Sequence, residues 1–93
     1  EIDEPAADLG VVAAIASSFR NLQIPPETAV FGEVGLTGEV RGVLQAQSRA
    51  REAQTLGFKK LILPASNKKG LERLLGIRIV GVRNLEEALD ELF

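Results

Sequence analysis

The second half of the chain alternates helix and strand patterns, and this alternation constrains the fold more than any other feature. Strong helix formers over 46–56 end at Gly57, an apolar strand pattern over 58–63 follows and stops at Pro64, and a helix over 69–75 leads to an apolar strand over 77–82. A last helix over 85–92 follows the capping residue Asn84. This order predicts parallel strands joined by right-handed crossovers, with helices packed on the sheet. We therefore expect an α/β domain of mixed α/β and α+β character.

The first half begins with a helix pattern. Asp3 can cap this helix, Pro5 is tolerated in its first turn, and apolar residues continue at helical spacing as far as Arg20. Because these apolar residues cover so much of the circumference, we expect the helix to be buried on more than one side.

A β-hairpin is predicted next. The stretch TAVFGEV over 28–34 reads as one strand and the stretch over 39–43 as a second, with a turn bracketed by Gly35 and Gly38. Neither GxGxxG nor GxxxxGK[ST] occurs in the sequence, so these glycines are assigned to the hairpin and not to a nucleotide cradle.

Composition excludes several kinds of chemistry. The 93 residues are 45% hydrophobic and 26% charged, which fits one small folded domain. The sequence has neither cysteine nor histidine, so it offers no disulfide, no thiolate nucleophile, no zinc site and no Ser-His-Asp catalysis. No apolar run reaches the roughly 20 residues that cross a bilayer, and we expect a cytoplasmic protein without a membrane partner.

Carboxylates and serines give only weak catalytic signals. Glu33 and Glu39 could meet across the hairpin as an acid–base pair, but solvated charges on an outer face are the favoured interpretation. Asp8 is either a functional acid or a charge favoured at a helix N-terminus, and the second interpretation is preferred. Ser17 and Ser18 lie within the first helix without a nearby base, and we interpret them as small packing residues.

Basic residues concentrate between positions 41 and 73, although the formal net charge of the chain is −2. Such a cluster could bind a phosphate backbone, and an ordinary solvated surface is the alternative. The sequence has no tyrosine or tryptophan, so stacking on nucleic-acid bases is not indicated. The candidate nucleic-acid-binding residues are Arg41, Arg49, Lys59, Lys60, Lys68 and Lys69.

Four stretches carry a family resemblance: DEPAADL, ASSFRN, IPPETAVFGEVGLTGEVRGV and EAQTLGFKKLILPASN. They resemble the carboxy-terminal, Lon-protease-like domain of the RadA (Sms) family of bacterial recombination proteins, most strongly over 24–67. The resemblance implies a Lon proteolytic-domain-like fold (ribosomal protein S5 domain 2-like), truncated at its N-terminal strands. It also implies that residues 1–93 are a single domain and a fragment of a longer chain. Loss of those strands predicts an exposed apolar patch on the first helix or the sheet edge, and self-association.

The resemblance further implies that proteolytic chemistry is lost. Lon-type proteases use a serine and lysine dyad, with the serine in a Pro-Ser-Ala-Gly stretch ahead of a helix. Here the aligned residues are PAAD, which puts Ala6 at the serine position, and Gln47 stands at the lysine position. Alanine offers no nucleophile and glutamine no base, so this chain is not expected to be an enzyme.

Several functional expectations follow from the resemblance. It implies a non-catalytic scaffold and DNA-contact domain of an ATP-driven branch-migration motor in homologous recombination and DNA repair. A pure ring-forming module without DNA contact, or a degenerate peptidase, is the alternative. The implied partners are single-stranded or branched DNA, further copies in a hexameric ring, and the RecA recombinase. The chain itself is expected to need no cofactor, while ATP, magnesium and zinc belong to the missing domains.

Overall fold

Three helices and five strands make up residues 4–93, the part of the chain that this computed structural model describes. The helices are α1 (Asp8–Arg20), α2 (Ala46–Thr55) and α3 (Leu85–Leu92). The strands are β1 (Thr28–Val30), β2 (Glu33–Val34), β3 (Val40–Arg41), β4 (Lys60–Pro64) and β5 (Arg78–Val82). Two short 3-10 helices, Pro5–Ala7 and Ala65–Asn67, flank the ends of these elements.

A parallel sheet in the order β1-β4-β5 forms the centre of the structure. Strands β2 and β3 form a separate antiparallel hairpin, in which Glu33 lies opposite Arg41 and Val34 opposite Val40. The parallel sheet, the hairpin and the mixed α/β class are therefore confirmed.

Helices cover both faces of the sheet because side chains alternate between the faces along each strand. Ile62 points into a cluster that contains residues of α1 and α3. Leu61 and Leu63, one position away on either side, point into a second cluster with Ala50 and Ala53 of α2. All three β4 side chains are fully buried, so β4 is the strand that both cores share.

The prediction of one continuous strand over 28–34 is wrong. The N–H of Phe31 still donates to the carbonyl of Ile62 in β4 (3.0 Å), and the chain turns away from the parallel sheet at Gly32, so that β1 and β2 belong to different sheets. The physical reason is at Gly32, whose N–H donates to the carbonyl of Ala6 (2.8 Å) and whose carbonyl accepts from the N–H of Leu9 (2.9 Å). These bonds tie the strand to the start of α1 in place of a ladder.

The predicted helix over 69–75 is also wrong. This segment forms consecutive turns, in which the N–H of Leu71 bonds to Lys68 and the N–H of Leu74 bonds to Leu71. Gly70 adopts a left-handed conformation (φ 89°), which interrupts a right-handed helix. In addition, Pro64 is the last residue of β4 and not the residue that stops it.

Helix α1 is buried on one side only, so the expectation of burial on more than one side is wrong. Leu9 and Ala13 are buried, whereas Val11 and Ile15 are 55% exposed and Phe19 is 89% exposed. The expected exposed apolar patch on this helix is thereby confirmed. The predicted cap Asp3 lies outside the described residues.

The signals for the end of α2 and the start of α3 are confirmed, whereas α1 begins at Asp8, because Pro5–Ala7 form a 3-10 helix. Gly57 follows α2 in a left-handed conformation (φ 93°), and the Asn84 side chain caps α3 by accepting from the N–H of Glu87 (2.8 Å). Within residues 4–93, no helix has the length and apolar character to cross a bilayer.

Candidate functional site

A cleft of about 380 Å³ opens between residues 4–6 and the segment that connects β3 to α2. One wall contains Pro5 and Ala6, and the other contains residues 42–45 and Arg49. Both walls are hydrogen-bonded to residues that lie just beyond the carboxyl ends of β1 and β4. In open α/β sheets, ligands bind at this edge, so the cleft is the first candidate for a functional site.

The wall that contains Ala6 is fixed by its bonds to Gly32. A Cβ atom added at Gly32 would lie 3.1 Å from Val40, 3.3 Å from Leu9 and 3.3 Å from Pro64, so any side chain there would push these neighbours apart. Ala6 is itself buried, with 3% of its surface exposed. Its backbone therefore has a set position at the end of β1.

The opposite wall is held by Asn67. Its amide oxygen accepts from the N–H of Val43 (2.8 Å), and its amide nitrogen donates to the carbonyl of the same residue (3.2 Å). At Gly42, an added Cβ would lie 2.7 Å from the hydroxyl of Ser66, so the absence of a side chain lets the two segments approach. The sequence analysis did not predict these two hydrogen bonds. The sequence signal for them is an asparagine that comes shortly after a strand.

An ion pair spans the mouth of the cleft. The Arg49 guanidinium lies 3.2 Å from the Glu4 carboxylate, and its Nε donates to the carbonyl of Leu44 (3.2 Å). Hydrogen bonding from Arg49, followed by that from the N–H of Ala6, lowers the pKa of Glu4. Arg49 therefore already has a partner, which reduces its value as a phosphate ligand.

The first turn of α1 docks on the hairpin through Asp8. Its carboxylate accepts from the N–H of Val34 (3.2 Å), so it serves as a backbone acceptor between two elements. Ser17 donates from its hydroxyl to the carbonyl of Leu22, where α1 ends. Both side chains thus have local structural partners.

Glu33 and Glu39 do not form a carboxylate pair. Glu33 lies opposite Arg41 in the hairpin, while the Glu39 carboxylate is drawn into the turn and accepts from Thr37 and Arg41. Hydrogen bonds from Thr37, then from Arg41, lower the pKa of Glu39 from 4.5 to about 2. A carboxylate held ionised in this way is a poor proton donor near neutral pH.

The Glu39 carboxylate should make the hairpin sensitive to acid. Because its folded-state pKa is below the unfolded value, its stabilising contribution is present above pH 4.5 and is lost as the pH falls toward about 2. We expect amides of the 35–38 turn to lose hydrogen-exchange protection over that interval. NMR titration of the wild type and of Glu39→Gln checks this, since the variant should show no such transition. A Glu39 titration midpoint near 4.5 in the wild type would contradict it.

The candidate basic residues do not form one patch. Lys59 and Lys60 lie at the amino end of β4, and Lys68 and Lys69 follow its carboxyl end. Lys60 aligns with Arg78 of β5, whereas the Lys68 side chain lies 3.3 Å from where a Cβ of Gly81 would be, three residues further along β5. The cluster seen along the sequence is therefore divided between the two ends of strand β4.

Three of the six candidates are engaged in ion pairs. Arg41 lies 2.7 Å from Glu39, Arg49 contacts Glu4, and the Nζ of Lys60 lies 3.1 Å from a carboxylate oxygen of Glu91. Lys60 also donates to the backbone carbonyl of Glu91 (3.1 Å), which ties β4 to α3. Among the described residues, ion-pair partners are absent for Lys59, Lys68 and Lys69.

Of the two positions aligned with a dyad, only Ala6 is among the residues that line the cleft. Ala6 is in the wall of the cleft, whereas Gln47 is exposed on the first turn of α2. The amide nitrogen of Gln47 lies 3.7 Å from where a Cβ of Gly70 would be. A methyl group and an amide are the side chains that the structure presents at these positions.

The fold and the cleft define a protein of the Lon proteolytic-domain class: the family described as the Lon protease (S16) C-terminal proteolytic domain matches residues 2–93, and the chain belongs to it. The curated relatives include the "DNA repair protein RadA" of Bacillus subtilis (strain 168), which is 51% identical over 89 residues, covering 96% of this chain and 19% of the relative. The same-named protein of Pseudomonas aeruginosa is 48% identical over 90 residues, covering 97% and 20%. That of Streptococcus pyogenes serotype M1 is 42% identical over 93 residues, covering 100% and 20%. The chain thus spans about a fifth of the length of these relatives.

Proposed function

We propose that this chain is a non-catalytic Lon-like module of a RadA-type DNA-repair protein, and that it serves there as a scaffold and a DNA contact. Its similarity to three proteins that carry the name DNA repair protein RadA supports the repair role. The observation that carries the non-catalytic part is the buried methyl of Ala6 in the cleft wall. A methyl group cannot attack a carbonyl carbon, and the Gln47 amide cannot accept a proton from a nucleophile.

The wider role of the parent protein is part of this proposal. A RadA-type parent would drive branch migration in homologous recombination, with ATP, magnesium and zinc bound outside these 93 residues. Its partners would be single-stranded or branched DNA, further copies of itself in a hexameric ring, and the RecA recombinase. The cytoplasm is the compartment in which such a protein would work.

DNA contact is best supported at the end of the sheet where the strands have their carboxyl ends. Lys68 and Lys69 follow β4 there, next to the segment that Asn67 clamps to the cleft wall. Phosphate binding needs cations whose charge is available for counterion release. Both lysines meet that requirement within the described residues, whereas Arg41, Arg49 and Lys60 already have carboxylate partners.

Replacing Lys68 and Lys69 together with Ala should weaken DNA binding uniformly across sequences. We expect the slope of log affinity against log salt to fall by about 0.9 for each lysine that meets a phosphate of duplex DNA. Fluorescence anisotropy on single- and double-stranded oligonucleotides at several salt concentrations measures this. Lys59→Ala, at the opposite end of β4, is the matched control and should leave the slope unchanged. An unchanged slope in the double variant would show that the carboxyl end of the sheet is ordinary solvated surface.

The alternative, a ring-forming module without DNA contact, is favoured by the apolar face of α1. Val11, Ile15, Phe19 and Leu22 are between 48% and 89% exposed, and a hollow of about 300 Å³ lies beside Ile15 and Phe19. Exposed apolar surface of this kind marks association sites.

Phe19→Glu should therefore reduce self-association of the chain. Burying a charge in an apolar contact is unfavourable, so we expect the dimer dissociation constant to rise at least tenfold, as measured by sedimentation equilibrium. Leu75→Glu, another exposed apolar position (82%), is the control and should behave as the wild type. A wild-type chain that stays monomeric at high concentration would exclude association through α1.

A further inference from the structure

Strand β5 leaves part of its outer edge without hydrogen-bond partners. It is the last strand of the sheet, and the N–H of Arg78 donates inward to the carbonyl of Lys59 (2.8 Å). Backbone groups alternate in direction along a strand, so those of Val80 and Val82 also face β4, and those of Ile79 and Gly81 face outward. Within residues 4–93, these outward groups have no hydrogen-bond partner.

The chain itself already extends this edge at one end. Beyond β5, the carbonyl of Arg83 accepts from the N–H of Val40 (2.8 Å), and Glu39 bridges Asn84 in the antiparallel sense. Strand β3 then leaves the edge, because Val43 is held by Asn67 on the cleft side. The chain therefore pairs an antiparallel segment with this edge at Arg83 and Asn84, whereas, in the part of the chain that the structure describes, the backbone groups of Ile79 and Gly81 have no strand beside them.

A groove of about 490 Å³ borders the open part of the edge. It is lined by Gly81, Val82 and Arg83 of the edge and by Glu87, Asp90 and Glu91 of α3. Glu87 is engaged by Arg83 and Glu91 by Lys60, which leaves Asp90 as the lining carboxylate without an ion pair among the described residues. The groove therefore has space for side chains and a charge that favours a cation.

The opposite face of the same edge has different chemistry. A Cβ at Gly81 would lie 3.0 Å from the Cα of Ala65 and 3.3 Å from the side chain of Lys68, so this side is narrow and flanked by a cation. Alternate side chains of an added strand point to opposite faces. One set would meet the acidic groove, and the other would meet the apolar stem of Lys68.

We propose that the outer edge of β5 binds an extended segment of a partner protein in which basic and apolar residues alternate. The segment adds a strand next to β5, bonds to the backbone of Ile79 and Gly81, and places its basic side chains beside Asp90. Backbone pairing provides affinity, and the charge difference between the two faces provides register. This site is separate from the cleft but borders Lys68, one of the two lysines assigned to DNA. It is built on the backbone of β5 and on Asp90, so it does not depend on the proposed function.

The probe is an acetylated octapeptide of alternating lysine and valine, added to the 93-residue chain and followed by amide hydrogen exchange. We expect the amides of Ile79 and Gly81 to exchange at least tenfold more slowly at saturation, while that of Val80, already bonded to β4, changes little. A peptide N-methylated at every residue, which has no N–H to donate on either side, should give no protection. Protection by the methylated peptide, or binding without protection of Ile79 and Gly81, would overturn the proposal.

Charge variants test the groove. Asp90→Lys should weaken binding of the lysine–valine peptide at least fivefold, whereas Glu86→Lys, on an exposed position of α3 outside the groove, should weaken it less than twofold. A glutamate–valine peptide should bind more weakly than the lysine–valine peptide. Equal effects of the two variants would overturn the assignment of basic side chains to the groove. Concentration-dependent protection of Ile79 and Gly81 without peptide would instead identify a second copy as the occupant and overturn the proposal.

Discussion

Replacing Gly32 with Val is expected to lower the free energy of unfolding by roughly 3 kcal/mol, the upper end of the usual cost of overpacking. The added Cβ would press on Val40, Leu9 and Pro64 at 3.1 to 3.3 Å, and the two methyl groups would need further space. Such a loss is a large part of the roughly 5–15 kcal/mol that stabilises a domain. Urea denaturation followed by circular dichroism measures it.

Gly10→Ala is the matched control for Gly32. An added Cβ at Gly10 meets only the carbonyl of Val30, at an ordinary contact distance of 3.8 Å. Because Gly10 lies within α1, alanine should stabilise the helix by up to about 1 kcal/mol. If Gly32→Val and Gly10→Ala were equally stable, the close packing around Gly32 would not be the constraint inferred here.

Asn67→Ala is expected to lower the free energy of unfolding by about 2 kcal/mol and to loosen the cleft. The change leaves the N–H and carbonyl of Val43 without the partners that the structure gives them, and an unpaired polar group in a partly buried position costs about 1–3 kcal/mol. We also expect the amide of Val43 to become a fast-exchanging site, which hydrogen exchange measures directly.

Asn67→Asp separates the two bonds of the clamp. The carboxylate keeps the acceptor for the N–H of Val43 and loses the donor to its carbonyl. We expect protection of the Val43 amide to be largely retained and stability to be intermediate between the wild type and Asn67→Ala. Loss of protection as complete as in Asn67→Ala would show that the acceptor bond is not what holds this wall.

Local patterns predicted most of the fold correctly because they depend on neighbouring residues. The short apolar run of the β4 region, the glycine after α2 and the Asn84 cap are all signals carried within a few positions. The strand break at Gly32 could not be predicted in this way. It is caused by bonds to Ala6 and Leu9, more than 20 residues away, which favour a bend over a continuous ladder.

The surface chemistry was harder to predict than the fold. The basic residues between 41 and 73 look like one cluster along the sequence, but Lys59 and Lys68 lie beyond opposite ends of β4. Whether a cation is free also depends on partners far along the chain, such as Glu91 for Lys60. The spacing of residues in the sequence indicates neither their positions relative to β4 nor their ion-pair partners. The candidate basic residues could therefore be divided into groups only from the structure.

The pairing of β1 with β4 has a consequence for how the chain acquires its shape. Thr28 aligns with Lys60 and Val30 with Ile62, so this ladder joins residues between which the hairpin and α2 lie in the sequence. Contacts between residues so far apart in sequence form slowly compared with helices and turns. Both cleft walls are held by residues at the ends of these two strands, so ligand capture there would report that β1 and β4 have paired.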